Sequence, residues 1–197
     1  MGNFPPLAYA KDTGRVTICV ECVNRFETFF LNIAEDAVRF CKDVGTGNVK
    51  VHLDCFHMIR EEKSFSGAVM TCGKEYLGYV HVNENDRGIP GTGLVPFPEF
   101  FQALADIGYS GPLVIESFDP SFTELAGNCA IWRSFAASGE ALAMLGREKA
   151  KHPLPAQRVV AYRLALSRAS VFNVTPIMSL LASRVSWQSG DRKVNAF

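Results

Sequence analysis

The sequence predicts an α/β fold built from repeated strand–helix units, and three observations carry that prediction. Four short strand-like runs occur in order: Val16 to Val20 (VTICV), Val49 to Leu53 (VKVHL), Leu77 to Val82 (LGYVHV) and Leu113 to Ile115 (LVI). Each run meets a residue able to bind a metal, respectively Glu21, Asp54, His81 and Glu116. These four are separated by 33, 27 and 35 residues, close to the length of one βαβ repeat, roughly 30 residues. Parallel strands in phase would present all four side chains at one edge of a sheet, where α/β folds place their active sites. Three carboxylates and an imidazole suit Mn²⁺, Mg²⁺ or Co²⁺, and the set holds no thiolate of the kind structural zinc prefers.

The elements follow in order. Residues 1–15 read as a lead-in, punctuated by Gly2, Pro5, Pro6 and Gly14. After the first strand, apolar residues Phe29, Phe30, Ile33, Ala37, Val38 and Cys41 recur at helical spacing, predicting a helix through Val44 that Gly45 and Gly47 end. The second strand passes into LDCFHMIREE, with Asp54 and His57 on a tight turn and a helix continuing to about Gly73. In that helix Glu61 and Glu62 fall near the start, where the dipole favours acids. The third strand feeds a polar, glycine-rich loop carrying Glu84, Asp86 and Arg87, the mark of a functional loop. PFPEFFQALADIGYSG is an amphipathic helix with Phe97, Phe100, Phe101, Leu104 and Ile107 inward, closed by Gly108 and Gly111. A last helical region covers about 119–151, with Trp132, Phe135, Leu142 and Leu145 as its apolar face. The remainder, 152–197, is an unassigned tail whose apolar run from Val159 to Val185 suggests a helix. Arg163, Arg168, Asn173 and Pro176 exclude an ordinary membrane span there.

Composition bounds the function. A chain of 197 residues, 48% hydrophobic and 20% charged, has the make-up of an ordinary globular domain, and its 20 basic and 20 acidic residues cancel. Nothing here points to nucleic acid or an anionic membrane. The N-terminus has no apolar core of signal-peptide length, and six cysteines without a zinc-type CxxC repeat read as reduced, buried thiols of a cytoplasmic protein.

The segments ECVNRFE, NVKVHLDCFHMIREE, LGYVHVNENDRGIPGTG and GPLVIESF resemble the D-tagatose 3-epimerase and D-psicose (D-allulose) 3-epimerase family, metal-dependent ketose 3-epimerases on a TIM barrel. The likeness runs from about Val16 to Arg147 and matches that barrel's second half: 16–151 would supply its last four βα units. The resemblance implies that Glu21, Asp54, His81 and Glu116 hold a divalent metal, usually manganese or cobalt. It also implies that Glu27, His57 and Arg87 contact a small ketose and that Glu21 and Glu116 exchange the proton at C3 through an enediolate. Two readings stay open. The chain is an epimerase once a second copy or a separate first half completes the barrel, or it is a non-catalytic, metal-binding remnant; an aldose–ketose or sugar-phosphate isomerase is a variant of the first. With Ile18, Val20, Val51, Leu53, Val80, Val82 and Val114 assigned to the uncovered face, a half barrel is expected to pair with another half, to fold its tail from Val159 to Val185 over that face, or to aggregate.

Overall fold

The structure is a computed structural model that describes Asp12, residues 16–150 and residues 159–161. All of these fall in one compact unit spanning Met1–Arg163; a second unit, Leu164–Phe197, lies outside the described residues, as does most of the lead-in. The elements in order are β1 (Ile18–Glu21), α1 (Ala34–Val44), β2 (Val49–Asp54), α2 (Cys55–Glu61), α3 (Phe65–Tyr76), β3 (Leu77–His81), α4 (Phe97–Asp106), β4 (Leu113–Ile115), α5 (Thr123–Asn128), α6 (Gly139–Ala150) and β5 (Val159–Ala161). The strands form one parallel sheet in the order β1-β2-β3-β4-β5. Each strand lies beside its successor, as in the wall of a barrel. The four expected βα units are present, and the first three residues of the apolar tail run add a fifth strand beside β4.

The sheet has two chemically distinct faces. Val51, Leu53, Val80, Val82, Leu113 and Ile115 pack against Ala37, Val38 and Cys41 of α1, Ala68, Val69 and Cys72 of α3, and Phe100 and Leu104 of α4. Strand side chains alternate, so the intervening residues Glu21, His52, Asp54, Tyr79 and His81 share the opposite face. This overturns the expected apolar inner face: of the residues assigned there, Val51, Leu53, Val80 and Val82 are fully buried under the helices, and Ile18 and Val20 pack against the same core. Val114, between the two core residues of β4, keeps its inner placement.

Register depends on one irregularity. Val51 pairs with Leu77 but His52 pairs with Tyr79, which leaves Gly78 as an extra residue in β3. A Cβ at Gly78 would lie 2.6 Å from Lys50 Cβ and 2.7 Å from Cys19 Sγ, so only glycine fits the bulge. Beyond it Asp54 pairs with His81, and both point inward.

Several boundaries differ from the sequence reading. α1 begins at Ala34, because Asn32 Nδ2 bonds Val23 O and Thr28 O and closes 23–32 into a loop; Phe29 on that loop is 80% exposed. Asp54 and His57 are not on a turn before a helix: Asp54 is itself the N-cap of α2, accepting from the N–H groups of Phe56 and His57. Glu61 and Glu62 therefore end α2. Glu61 pairs with Arg25 instead, and Glu62 accepts the Ala34 N–H at the start of α1. The next helix passes Gly73 in a non-helical conformation and ends at Tyr76. The last helical region is split in two, with Leu142 buried but Trp132 80% exposed on the connection.

Among the described cysteines, Cys22, Cys41, Cys55 and Cys72 are buried, and all six are free thiols. No helix among the described residues is long and apolar enough to cross a membrane.

Candidate metal centre

The site sits where β1, β2, β3 and β4 end. Glu21 and Asp54 are the last residues of β1 and β2, His81 is the last of β3, and Glu116 directly follows β4. One donor atom from each of Glu21, His52, Asp54 and His81 can be chosen so that all lie within 4.8 Å of one another. Glu116 adjoins this group, its Oε2 being 3.3 Å from His81 Nδ1. The four sequence-derived candidates are thus gathered at one place. His52 is an addition the sequence reading passed over, although its position two residues before Asp54 puts both on the same strand face.

Asp54 is the hub. It is fully buried; Oδ1 caps α2, while Oδ2 accepts from Asn83 Nδ2 (3.1 Å) and Arg87 Nη1 (3.2 Å) and lies 3.0 Å from His81 Nδ1. Burial alone would raise its pKa, but the His81 hydrogen bond and the Arg87 charge outweigh that and hold the carboxyl well below its usual range. His81 shows the reciprocal effect: burial disfavours its charge, yet the Asp54 and Glu116 carboxylates raise it to about 9. Glu21 goes the other way, raised to about 8 by burial and by the charges of Asp54 and Glu116. His52 falls to about 3 through burial and the neighbouring His81 charge. Its ring meets that of His81 edge-on at 4.2 Å, and its Nε2 is buried with no hydrogen-bond partner.

The three residues that the resemblance assigned to the sugar belong to the same cluster. Arg87 Nη1 also pairs with Glu116 Oε2, its Nη2 lies 3.3 Å from His57 Nε2, and its guanidinium stacks on Phe56 at 3.8 Å. His57 Nδ1 accepts the Asn24 N–H, and its Nε2 lies 3.7 Å from Glu21 Oε1. Glu27 connects through Asn24, whose Nδ2 lies 2.8 Å from both Glu27 Oε1 and His57 Nδ1. Asn24, Asn83 and Phe56 are thus site residues the sequence did not mark, because an amide or a ring announces no chemistry until its neighbours are known.

A divalent cation fits this donor set. Three carboxylates beside imidazole nitrogens, drawn from adjacent strand ends, supply hard oxygen and borderline nitrogen ligands for a six-coordinate ion such as Mn²⁺. Burial and the neighbouring Asp54 and Glu116 charges hold the Glu21 pKa up, and a cation would offset both by favouring the carboxylate.

Residues 6–146 match the xylose isomerase-like TIM barrel family. The D-psicose 3-epimerase of Ruminiclostridium cellulolyticum is 44% identical over 133 residues, which are 68% of this chain and 45% of that protein. The D-psicose 3-epimerase of Agrobacterium fabrum is 40% identical over 152 residues, 77% of this chain and 51% of the relative. Among solved structures, a D-allulose 3-epimerase from Methylomonas sp. superposes with a TM-score of 0.68 at 37% identity, covering 74% of this chain and 51% of that one. A D-psicose 3-epimerase crystallised in the presence of D-fructose gives 0.67 at 38%, covering 73% and 50%. The chain spans about half the length of the curated relatives it matches. With its parallel wall and the acids and histidines gathered at its strand ends, the chain belongs to the xylose isomerase-like TIM barrel family.

Proposed function

We propose that this chain carries the metal- and proton-handling half of a ketose 3-epimerase that inverts C3 of a free ketose such as D-psicose. The observation that carries the reading is the convergence of Glu21, Asp54, His81 and Glu116 at one sheet edge in a chain about 40% identical to proteins of that activity. Glu21, Asp54, His81 and Glu116 would hold the ion, Mn²⁺ by choice of donors, with His52 packed beside them. When bound, the cation supplies Lewis-acid polarisation of the ketose carbonyl, which acidifies the proton on C3.

The chain's own residues do the rest. Glu21 and Glu116 come from β1 and the end of β4, on either flank of the β2–β3 pair. One takes the C3 proton and the other returns one from the opposite side, with the sugar's enediolate between the two steps. Arg87 and His57 present donors to the sugar hydroxyls, and Phe56 holds the guanidinium flat. Glu27 keeps Asn24, and through it His57, in place. The rest of the pocket wall comes from further barrel units, supplied by a first half or a second copy.

The test is turnover of D-psicose by the purified chain with Mn²⁺, its oligomeric state read by sedimentation on the same sample. Glu116→Gln, which keeps an oxygen donor but cannot carry the proton, is expected to lower kcat by about 100-fold or more at saturating Mn²⁺. Full activity in Glu116→Gln would sink the acid–base assignment.

A further inference from the structure

The loop after β3, residues 83–95, contains a carboxylate that neither the metal nor the proton chemistry uses. Glu84 is completely buried. Its Oε1 accepts the Gly91 N–H at 2.8 Å, and its Oε2 accepts the N–H groups of Asn85 and Val95, each at 3.2 Å. Both oxygens therefore face backbone donors, an arrangement suited to an ionised carboxylate, which only accepts. The neighbouring Asn85 Oδ1 accepts the Leu94 N–H at 2.9 Å and ties the same two ends of the loop. A Cβ on Gly93 would collide with both side chains, so the strap is closed around a glycine.

Arg87 is the residue that this strap encloses. Its backbone is in the left-handed region at φ 64°, uncommon for a residue with a side chain. That conformation is fixed by bonds on both sides: the Arg87 N–H donates to Glu84 O, and Arg87 O accepts the Phe118 N–H. Ser117 Oγ also donates to Gly88 O at 2.7 Å. From this backbone the guanidinium reaches Asp54 and Glu116.

We propose that Glu84 is a positioning residue: its buried carboxylate gathers the loop's amides and so sets the backbone of Arg87, and with it the sugar-contacting guanidinium. The inference rests on the reading of Arg87 as a sugar contact. Its first test does not. Glu84→Gln preserves shape but puts an NH₂ group against N–H donors, leaving at least one without an acceptor. Limited trypsin digestion of the full chain, followed by mass spectrometry, reads cleavage of the Arg87–Gly88 bond. Cleavage in Glu84→Gln is expected to be about tenfold faster than in the parent, because the open form is more populated. Gly93→Ala disturbs the strap from the other side and is expected to do the same; it carries the test if Glu84→Gln does not accumulate folded.

The second measurement is KM for D-psicose. Glu84→Gln should raise it toward the value of Arg87→Ala, and the Glu84→Gln/Arg87→Ala double variant should be no worse than Arg87→Ala alone. Effects that multiply, or an Arg87–Gly88 bond as resistant as in the parent, would overturn the proposal. A parent chain that does not turn over D-psicose counts against the proposed function, while the digestion still decides whether Glu84 sets Arg87.

Discussion

The two faces of the sheet are made from the same strands and behave as different materials. On the helix side, Val51, Leu53, Val80 and Val82 are completely buried and neutral. On the other side, one residue along, stand Glu21, His52, Asp54 and His81, with pKa values moved both up and down by burial and by their mutual proximity. The first face supplies the free energy that keeps the second in place. A cluster of carboxylates, histidines and an arginine is costly to assemble in a poorly hydrated space, and apolar packing beneath it offsets that cost.

Substitutions on each face should separate these roles. Leu53→Ala removes a fully buried side chain and is expected to cost about 3 kcal/mol of folding stability. Its folded fraction should bind Mn²⁺ normally; denaturant unfolding with calorimetry checks both, and a shift in metal affinity alone would erase the distinction. His81→Ala should do the reverse, weakening Mn²⁺ binding by more than about 100-fold while the circular dichroism of the folded chain is kept. Unchanged binding would show that the inner face is not the metal site.

The smallest effect is one of pH. In the metal-free protein His81 is raised from 6.5 to about 9 by the Asp54 and Glu116 carboxylates, against the opposing effect of burial. Because the folded value lies above the unfolded one, the protonated ring stabilises the metal-free chain fully below pH 6.5, and that contribution is lost as pH rises through about 9. An incoming cation must displace that proton. Mn²⁺ affinity should therefore increase across this window, by about tenfold per pH unit for the His81 proton and more steeply below about 8, where Glu21 also holds one, with proton release visible as a buffer-dependent heat of binding. Affinity that is flat with pH would sink the idea.

The sequence showed the repeat and the strand-end residues plainly, since Glu21, Asp54, His81 and Glu116 recur at the interval of a βα unit. It also contained the assignment of faces, because VKVHLD alternates apolar and polar without a break. Treating parallel strands as apolar on both sides hid it. In LGYVH the alternation stumbles at Gly78, and no local pattern announces that a bulge resets it. The loop before α1 was misread because Phe29 and Phe30 fit a helical period, while the bonds of Asn32 that close the loop depend on partners along the chain. His52 was overlooked because its role comes from a neighbouring strand.

The extra residue in β3 means that the reactive cluster is fixed by counting as well as by chemistry. Length can vary in the loops with local consequences, but were Gly78 paired in the ladder as an ordinary strand residue, odd positions beyond it would change to even ones. Tyr79 and His81 would then turn toward the helices while Val80 faced the carboxylates, with every side chain still present in the chain.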